Sequence, residues 1–306
     1  MSQIAKKVIM VEPSHFGFNP QTADSDPFQH DLSGQGETEK EIREQALNEF
    51  NGVVSTLKHN GIEVEILPSP KDITPDEIFP NNWFTTHEDG TLVIYPMLAE
   101  NRRAERQVDV LKAALSKLDF DVTNTLDLTN EENSGQFLEG TGSLVLDRIN
   151  KFAFVIASPR SSKQTLDLWC QKMGYQAMYF HAVDKVGKPI YHTNVSMNLG
   201  KDFAVICTES VTDQNERNDL LNKLKELNKT VVDISLDQVS CFCGNILQLQ
   251  PSNDQPVIIM SETAFSAYNE EQKQMLSKFG KLVHIPVPTI QEVGGGGVRC
   301  MLAEVF

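Results

Sequence analysis

Long apolar runs are missing from this chain. The first one, in "MSQIAKKVIMVEP", covers four residues before Glu12 and Pro13 interrupt it. A secretory h-region needs about 7–15 apolar residues and a membrane span about 20. Neither a signal peptide nor a membrane anchor is therefore expected. Positive charge is also scarce: 27 Lys and Arg stand against 42 Asp and Glu, for a net charge of −15. That balance argues against nucleic acid and anionic membrane surfaces as partners. Cysteine is present in an odd number, five, at Cys170, Cys207, Cys241, Cys243 and Cys300. Without a secretory signal, an odd count reads as reduced thiols in a cytoplasm. "CFC" at 241–243 has no second cysteine pair or histidine cluster to complete a metal site, so it is expected to be two strand residues facing one side. "GTG" at 140–142 lacks the third glycine and following helix of a dinucleotide fingerprint. No metal or other cofactor is implied.

What the chain does contain is a repeat. Four stretches align: "NWFTTHEDGTLVIYPMLAENRRAER", "EGTGSLVLDRINKFAFVIASPRSSKQTLD", "HTNVSMNLGKDFAVICTESVTDQNERNDL" and "NILQLQPSNDQPVIIMSETAFSAYNEEQ". Each begins on a polar residue, runs through a short strand, turns on Gly, Asn or Asp, and enters a β-rich run. A capped segment with apolar spacing near 3.6 follows, then another strand such as "VEILPS", "TVVDISL" or "KLVHIPV". The polar starters are Asn82, Glu139, His192, Asn245 and Cys300, spaced 57, 53, 53 and 55 residues apart. A ββαβ unit of this size cannot bury its own apolar face, so the units must pack on one another. The fifth is completed across the termini, with "CMLAEVF" giving one strand and "KKVIMVEP" with a helix near 38–59 giving the rest. The fold expected is α/β, one domain over 1–306: a closed ring of five pseudo-symmetric blades with the starters around its axis.

Five converging functional side chains make a poor core, because buried polar groups need partners. They make a good active site. Cys300 follows four consecutive glycines in "VPTIQEVGGGGVRCMLAEVF", and such a run suits a place where something passes close to the backbone. A thiol is only a few per cent ionised at neutral pH, so His192 is the expected local base for Cys300. Glu139, in "FLEGTGS", is expected to hold a cationic or amide N–H of a substrate, or to orient the histidine. The polar loop "SHFGFNPQTADSDPFQHDLSGQG" reads either as a lid over the axis or as a surface loop without a role.

"PDEIFPNNWF", "ENRRAE", "FLEGTG", "ASPRSS", "HTNVSM" and "GGGGVRCM" together resemble the guanidino-group-modifying superfamily, which includes arginine deiminase, dimethylarginine dimethylaminohydrolase and the amidinotransferases. The resemblance covers nearly the whole chain and is strongest to the bacterial amidinotransferase-related citrulline-utilization hydrolases. It implies the five-bladed α/β propeller (pentein) fold. It implies that Cys300 attacks the central carbon of a guanidino or ureido group, that His192 shuttles protons and that Glu139 grips substrate nitrogens. It further implies that Arg102 and Arg160 bind a substrate carboxylate and that Phe79 packs on the substrate chain.

The chain departs from that pattern at Asn82 and Asn194, where relatives acting on arginine-type cations carry aspartates. A carboxylate pairs with a guanidinium, but an amide both donates and accepts and so suits a neutral urea. The departure points to citrulline, cleaved to ornithine, carbon dioxide and ammonia through an S-carbamoyl intermediate. An arginine deiminase-like or amidinotransferase reaction on a guanidino substrate is the alternative, as is an amino-acid-binding propeller without turnover. The partner expected is a small molecule; homo-oligomerisation is left open.

Overall fold

The computed structural model describes residues 2–32, 36–252 and 255–306. Its strands, in chain order, are β1 (Lys7–Val11), β2 (Glu63–Leu67), β3 (Phe84–Thr86), β4 (Thr91–Ile94), β5 (Asn124–Asp127), β6 (Val145–Asp147), β7 (Phe152–Ile156), β8 (Gln176–Phe180), β9 (Met197–Leu199), β10 (Phe203–Ile206), β11 (Thr230–Asp233), β12 (Leu247–Leu249), β13 (Val257–Ser261), β14 (Lys281–Ile285) and β15 (Ala303–Val305). They form five three-stranded sheets, β15–β1–β2, β3–β4–β5, β6–β7–β8, β9–β10–β11 and β12–β13–β14. In each, the first strand runs antiparallel to the middle one and the third runs parallel to it. The parallel step needs a crossover, and a helix supplies it: Glu39–His59, Val108–Lys117, Lys163–Met173, Gln214–Glu226, and the pair Glu262–Ala267 and Glu270–Ser277. The repeat in the sequence is therefore five ββαβ-like units. The unit split across the termini closes as β15 pairs with β1, Ile9 opposite Ala303.

Covering on both faces makes the middle strands largely apolar. "FAFVI" of β7, "FAVI" of β10 and "VIIMS" of β13 are buried at every position. Third strands alternate towards solvent instead, as in β14 with Lys281 and His284 exposed and Val283 and Ile285 buried. Helix Glu39–His59 starts on a capping box, with Thr38 and Glu41 each bonding the other's backbone. Its buried stripe of Ile42, Ala46, Phe50, Val53 and Leu57 follows the helical period.

A short turn precedes every first strand. Pro80–Asn82 leads into β3, Gly140–Ser143 (capped at Glu139) towards β6, Thr193–Ser196 (capped at His192) into β9, and Val298–Met301 towards β15. The units touch through these inner elements. β15 packs on β3, Gly140–Ser143 on Pro80–Asn82 and Thr193–Ser196, β6 on β9, β9 on β12, and Val298–Met301 on β13.

One expectation fails here. Cys241 and Cys243 are not strand residues, because Phe242 between them takes φ +62° and the backbone turns. The N–H groups of both cysteines fold back on Gln238 O. Only Cys243 is buried; Cys241 is half-buried.

Candidate active site

Six of the eight residues singled out in the sequence line one narrow cavity: Cys300, His192, Asn82, Phe79, Arg102 and Arg160. A roomier cleft beside Phe28, Val186 and Phe242 carries no such chemistry. The other two residues lie one layer behind the cavity. Glu139, 1 % exposed, supports His192, and Asn194 is fully buried against Cys300.

On one side lies a charged network. His192 Nε2 is 2.8 Å from Glu139 Oε2, and the other Glu139 oxygen accepts from Leu98 N at 3.0 Å. Arg160 Nη1 is 3.6 Å from Glu139 Oε2. Burial alone pushes the Glu139 carboxyl up, but Arg160, His192 and Arg102 outweigh it and hold the group well below the usual range. Burial pushes His192 down to about 4 against the pull of Glu139, with Arg160 and Arg102 adding to the fall. The imidazole is thus neutral, with Nε2–H donated to Glu139 and Nδ1 left unprotonated. Nδ1 lies against Gly142, where an added Cβ would stand 2.8 Å from it and 2.6 Å from Asn82 Nδ2.

On the other side Cys300 has neutral company. Asn245 Nδ2 is 3.1 Å from Cys300 Sγ and Asn194 Nδ2 is 3.7 Å. No hydrogen bond joins the sulfur to His192, so the expected Cys–His pair is two residues of one cavity rather than a bonded pair. Burial pushes the thiol up, opposed by Asn245, Arg299 and Asn194, while Asp26 adds to the rise.

The two arginines are already engaged. Arg102 donates Nε and Nη2 to the two oxygens of Glu105, at 2.8 and 3.0 Å, and Nη1 to Asn82 Oδ1 at 2.9 Å. Arg160 donates Nε and Nη2 to Ser25 Oγ and lies over the Tyr191 ring at 4.7 Å. The spacing of "ENRRAE" fits the Arg102–Glu105 pair, which the sequence reading did not use.

Sequence reasoning missed Asp26 and Asp76, two carboxylates of the cavity wall. Asp76 Oδ2 accepts from Asn19 and Thr22, while its Oδ1 is buried without a partner. Burial raises Asp26 to about 7 despite Arg160 and its bond from Phe28 N. Neither residue occupies a starter position of the repeat, although Asp76 lies inside the motif "PDEIFPNNWF". The loop that bears Asp26 is part of the wall: Gln29 Nε2 donates to Gly294 O and His30 N to Glu292 O. Residues 33–35 of that loop lie outside the described residues.

The glycines before Cys300 have a steric reason. A Cβ at Gly294 or Gly296 would come within 2.9 or 2.7 Å of the Phe79 ring, and one at Gly297 within 2.7 Å of Asn245 Oδ1. Gly295 adds a backbone reason, with φ +69° and the Asp26 carboxylate 2.5 Å from the missing Cβ.

A family model described as N,N dimethylarginine dimethylhydrolase, eukaryotic, matches residues 12–306. The chain belongs to this family, and with it to the guanidino-modifying pentein superfamily. No curated protein matches the chain. Among solved structures, it is similar to the N-terminal domain of ArgZ covalently bound to a reaction intermediate, with TM-score 0.75, 16% identity, and coverage of 98% of this chain and 97% of that one. Another ArgZ structure is described as an arginine dihydrolase from cyanobacteria. Unliganded AgrE gives TM-score 0.72 at 18% identity, covering 98% of this chain and 39% of that one. Dimethylarginine dimethylaminohydrolase from Pseudomonas aeruginosa complexed with citrulline gives 0.66 at 13%, covering 99% and 100%. At these identities the likeness is one of fold.

Proposed function

We propose that residues 1–306 form one closed α/β propeller domain that hydrolyses the ureido group of citrulline with Cys300 as nucleophile. Ring closure is supported by the contacts running from unit to unit and by Val298–Met301, which belongs to the first unit, packing on β13 of the last. A cysteine hydrolase is supported by the family and by a buried thiol facing the same cavity as a neutral histidine. The reduced thiols fit the cytoplasm.

One observation carries the substrate: the orientation of the Asn82 amide. Arg102 is a donor only, so the atom receiving its Nη1–H must be the amide oxygen. Asn82 Nδ2 gives one hydrogen to Asn81 Oδ1 at 3.2 Å and keeps the other for the cavity, near Nδ1 of His192. A ureido oxygen can accept that N–H; a guanidinium has nothing to accept it with. Glu139, the carboxylate nearest the histidine, is already occupied by His192, Leu98 N and Arg160.

The reaction follows. Nδ1 of His192 takes the Cys300 thiol proton, the thiolate attacks the ureido carbon, and the bond to the ornithine nitrogen breaks as that nitrogen takes the proton back from His192. Water then attacks the S-carbamoyl group, the C–S bond breaks, and carbamate falls to carbon dioxide and ammonia. Glu139 orients His192 and favours the imidazolium that forms when the ring takes a proton. Arg160 Nη1 and the remaining Nη1 hydrogen of Arg102 bind the substrate carboxylate, and Asp26 and Asp76, with its free Oδ1, bind the ammonium. Phe79, held against the glycine run, packs on the chain between.

The test is release of ammonia and ornithine from citrulline and from arginine, by wild type and Cys300→Ala. Faster turnover of arginine than citrulline overturns the substrate assignment. A guanidino substrate is the second reading, favoured by the carboxylates Asp26 and Asp76 in the cavity. Binding of citrulline with no product would leave the propeller a binding protein.

A further inference from the structure

Of the five starter residues, Asn245 is the one to which the proposed reaction gives no task. Its side chain is 1 % exposed, and its Nδ2 donates to the main-chain oxygen of Asn194 and to Cys300 Sγ, both at 3.1 Å. A carbonyl only accepts, so the bond to Asn194 O fixes which end of the amide is nitrogen. The same constraint leaves Oδ1 buried with no partner, against Gly297. An orphaned buried acceptor is costly, and reversing the amide would relieve it only by setting oxygen against oxygen at Asn194 and against the sulfur. The arrangement keeps one N–H aimed at Sγ at the expense of its own oxygen. A neutral thiol accepts such a bond weakly and a thiolate strongly.

We propose that Asn245 is a catalytic residue that stabilises the Cys300 thiolate through its amide N–H, with Asn194 as a weaker second donor at 3.7 Å. The proposal rests on Cys300 being the nucleophile but on no choice of substrate. The charged groups around the sulfur do not replace it. Arg299 helps, yet its guanidinium is bonded to Leu302 O and Glu304. Asp26 opposes ionisation, and His192 is held by Glu139 without contacting the sulfur. A neutral substrate brings no positive charge of its own to offset the burial of a thiolate, so fixed dipoles must do so.

The test is the pH dependence of iodoacetamide alkylation at Cys300, followed on its own peptide by mass spectrometry because four other cysteines are present. Asn245→Ala should move the alkylation midpoint up by about one pH unit, about tenfold in thiolate at neutral pH. Gly297→Ala provides a second route. At φ −88° the backbone accepts a methyl, and that methyl displaces Asn245 Oδ1 without touching the sulfur. It should shift the profile in the same direction by less, with the thermal midpoint little changed. Unshifted profiles in both variants overturn the proposal. Unshifted profiles with lost citrulline turnover would leave Asn245 a structural residue, whereas shifted profiles beside a wild type that does not turn over citrulline would overturn the substrate alone.

Discussion

The two halves of the cavity solve the same problem, polar groups buried from water, by opposite means. Around Glu139 and Arg160 full charges are set against one another, with the neutral His192 bonded to the carboxylate, and each is intelligible only through its partner. Around Cys300 the partners are amides, and no cation is bonded to the sulfur. Coupled charges fix proton positions firmly, so that half suits orientation and proton transfer. Amides favour the anion without a permanent ion pair, so the thiol can be neutral at rest and ionised at attack. The halves should therefore respond differently to substitution.

The largest effect is expected on the neutral side. Cys300→Ala should lower kcat by at least about 10³, given what loss of a nucleophile costs in other cysteine and serine hydrolases, with the melting temperature nearly unchanged. Ammonia release within about tenfold of wild type would remove Cys300 from the mechanism. Glu139→Gln should instead affect both activity and stability. It leaves Arg160 without its buried counter-charge, a change that costs about 3–5 kcal/mol where buried pairs are broken. Denaturant unfolding checks it, and an unchanged midpoint would mean that the Arg160–Glu139 pair contributes nothing.

Smaller is the effect of moving charge from one half to the other. Asn82→Asp together with Asn194→Asp should lower kcat/KM for citrulline and raise the preference for arginine. Asn82 already faces Arg102, so a carboxylate there gains a partner; at Asn194 it meets only the sulfur. Product analysis on both substrates reads the result, and a stronger citrulline preference would contradict the neutral-substrate reading.

The smallest effect is a pH dependence. Asp26 rises from 3.8 to about 7 on folding, mainly through burial. The native state therefore binds a proton more tightly than the unfolded one, and the stability this provides is complete below pH about 4 and is lost as the pH rises through about 7. Arg160, the bond from Phe28 N and Tyr191 favour the carboxylate, and burial outweighs them. Asp26→Asn should narrow the difference in melting temperature between pH 5 and pH 8. An undiminished difference would assign that pH dependence elsewhere.

Much of the fold could be read because repetition is a long-range signal. Starters 53 to 57 residues apart forecast five units and the shared position of Cys300, His192 and Glu139. What the sequence hid is contact that repetition does not encode. Asp26 and Asp76 sit in connections outside the repeat and reach the cavity through packing against Gly295, Asn19 and Thr22. The engagement of Arg102 by Asn82 depends on two turns, Glu100–Glu105 and Pro80–Asn82, meeting in space. Cys241 and Cys243 satisfied the period of a strand, but one left-handed residue between them set a different path.

The pairing of β15 with β1 also has a temporal side. Among the described strands Lys7–Val11 is made first, and its inner neighbour Ala303–Val305 is made after the other fourteen. Contacts so distant along the chain form slowly and late. Cys300 enters the same step, since the turn that carries it leads directly into β15. A polypeptide cut before residue 298 thus holds the histidine, the carboxylates and the amides of the cavity but not the Cys300 sulfur. With Cys300 as the proposed nucleophile, the docking of Ala303–Val305 on Lys7–Val11 is itself the act that arms the site.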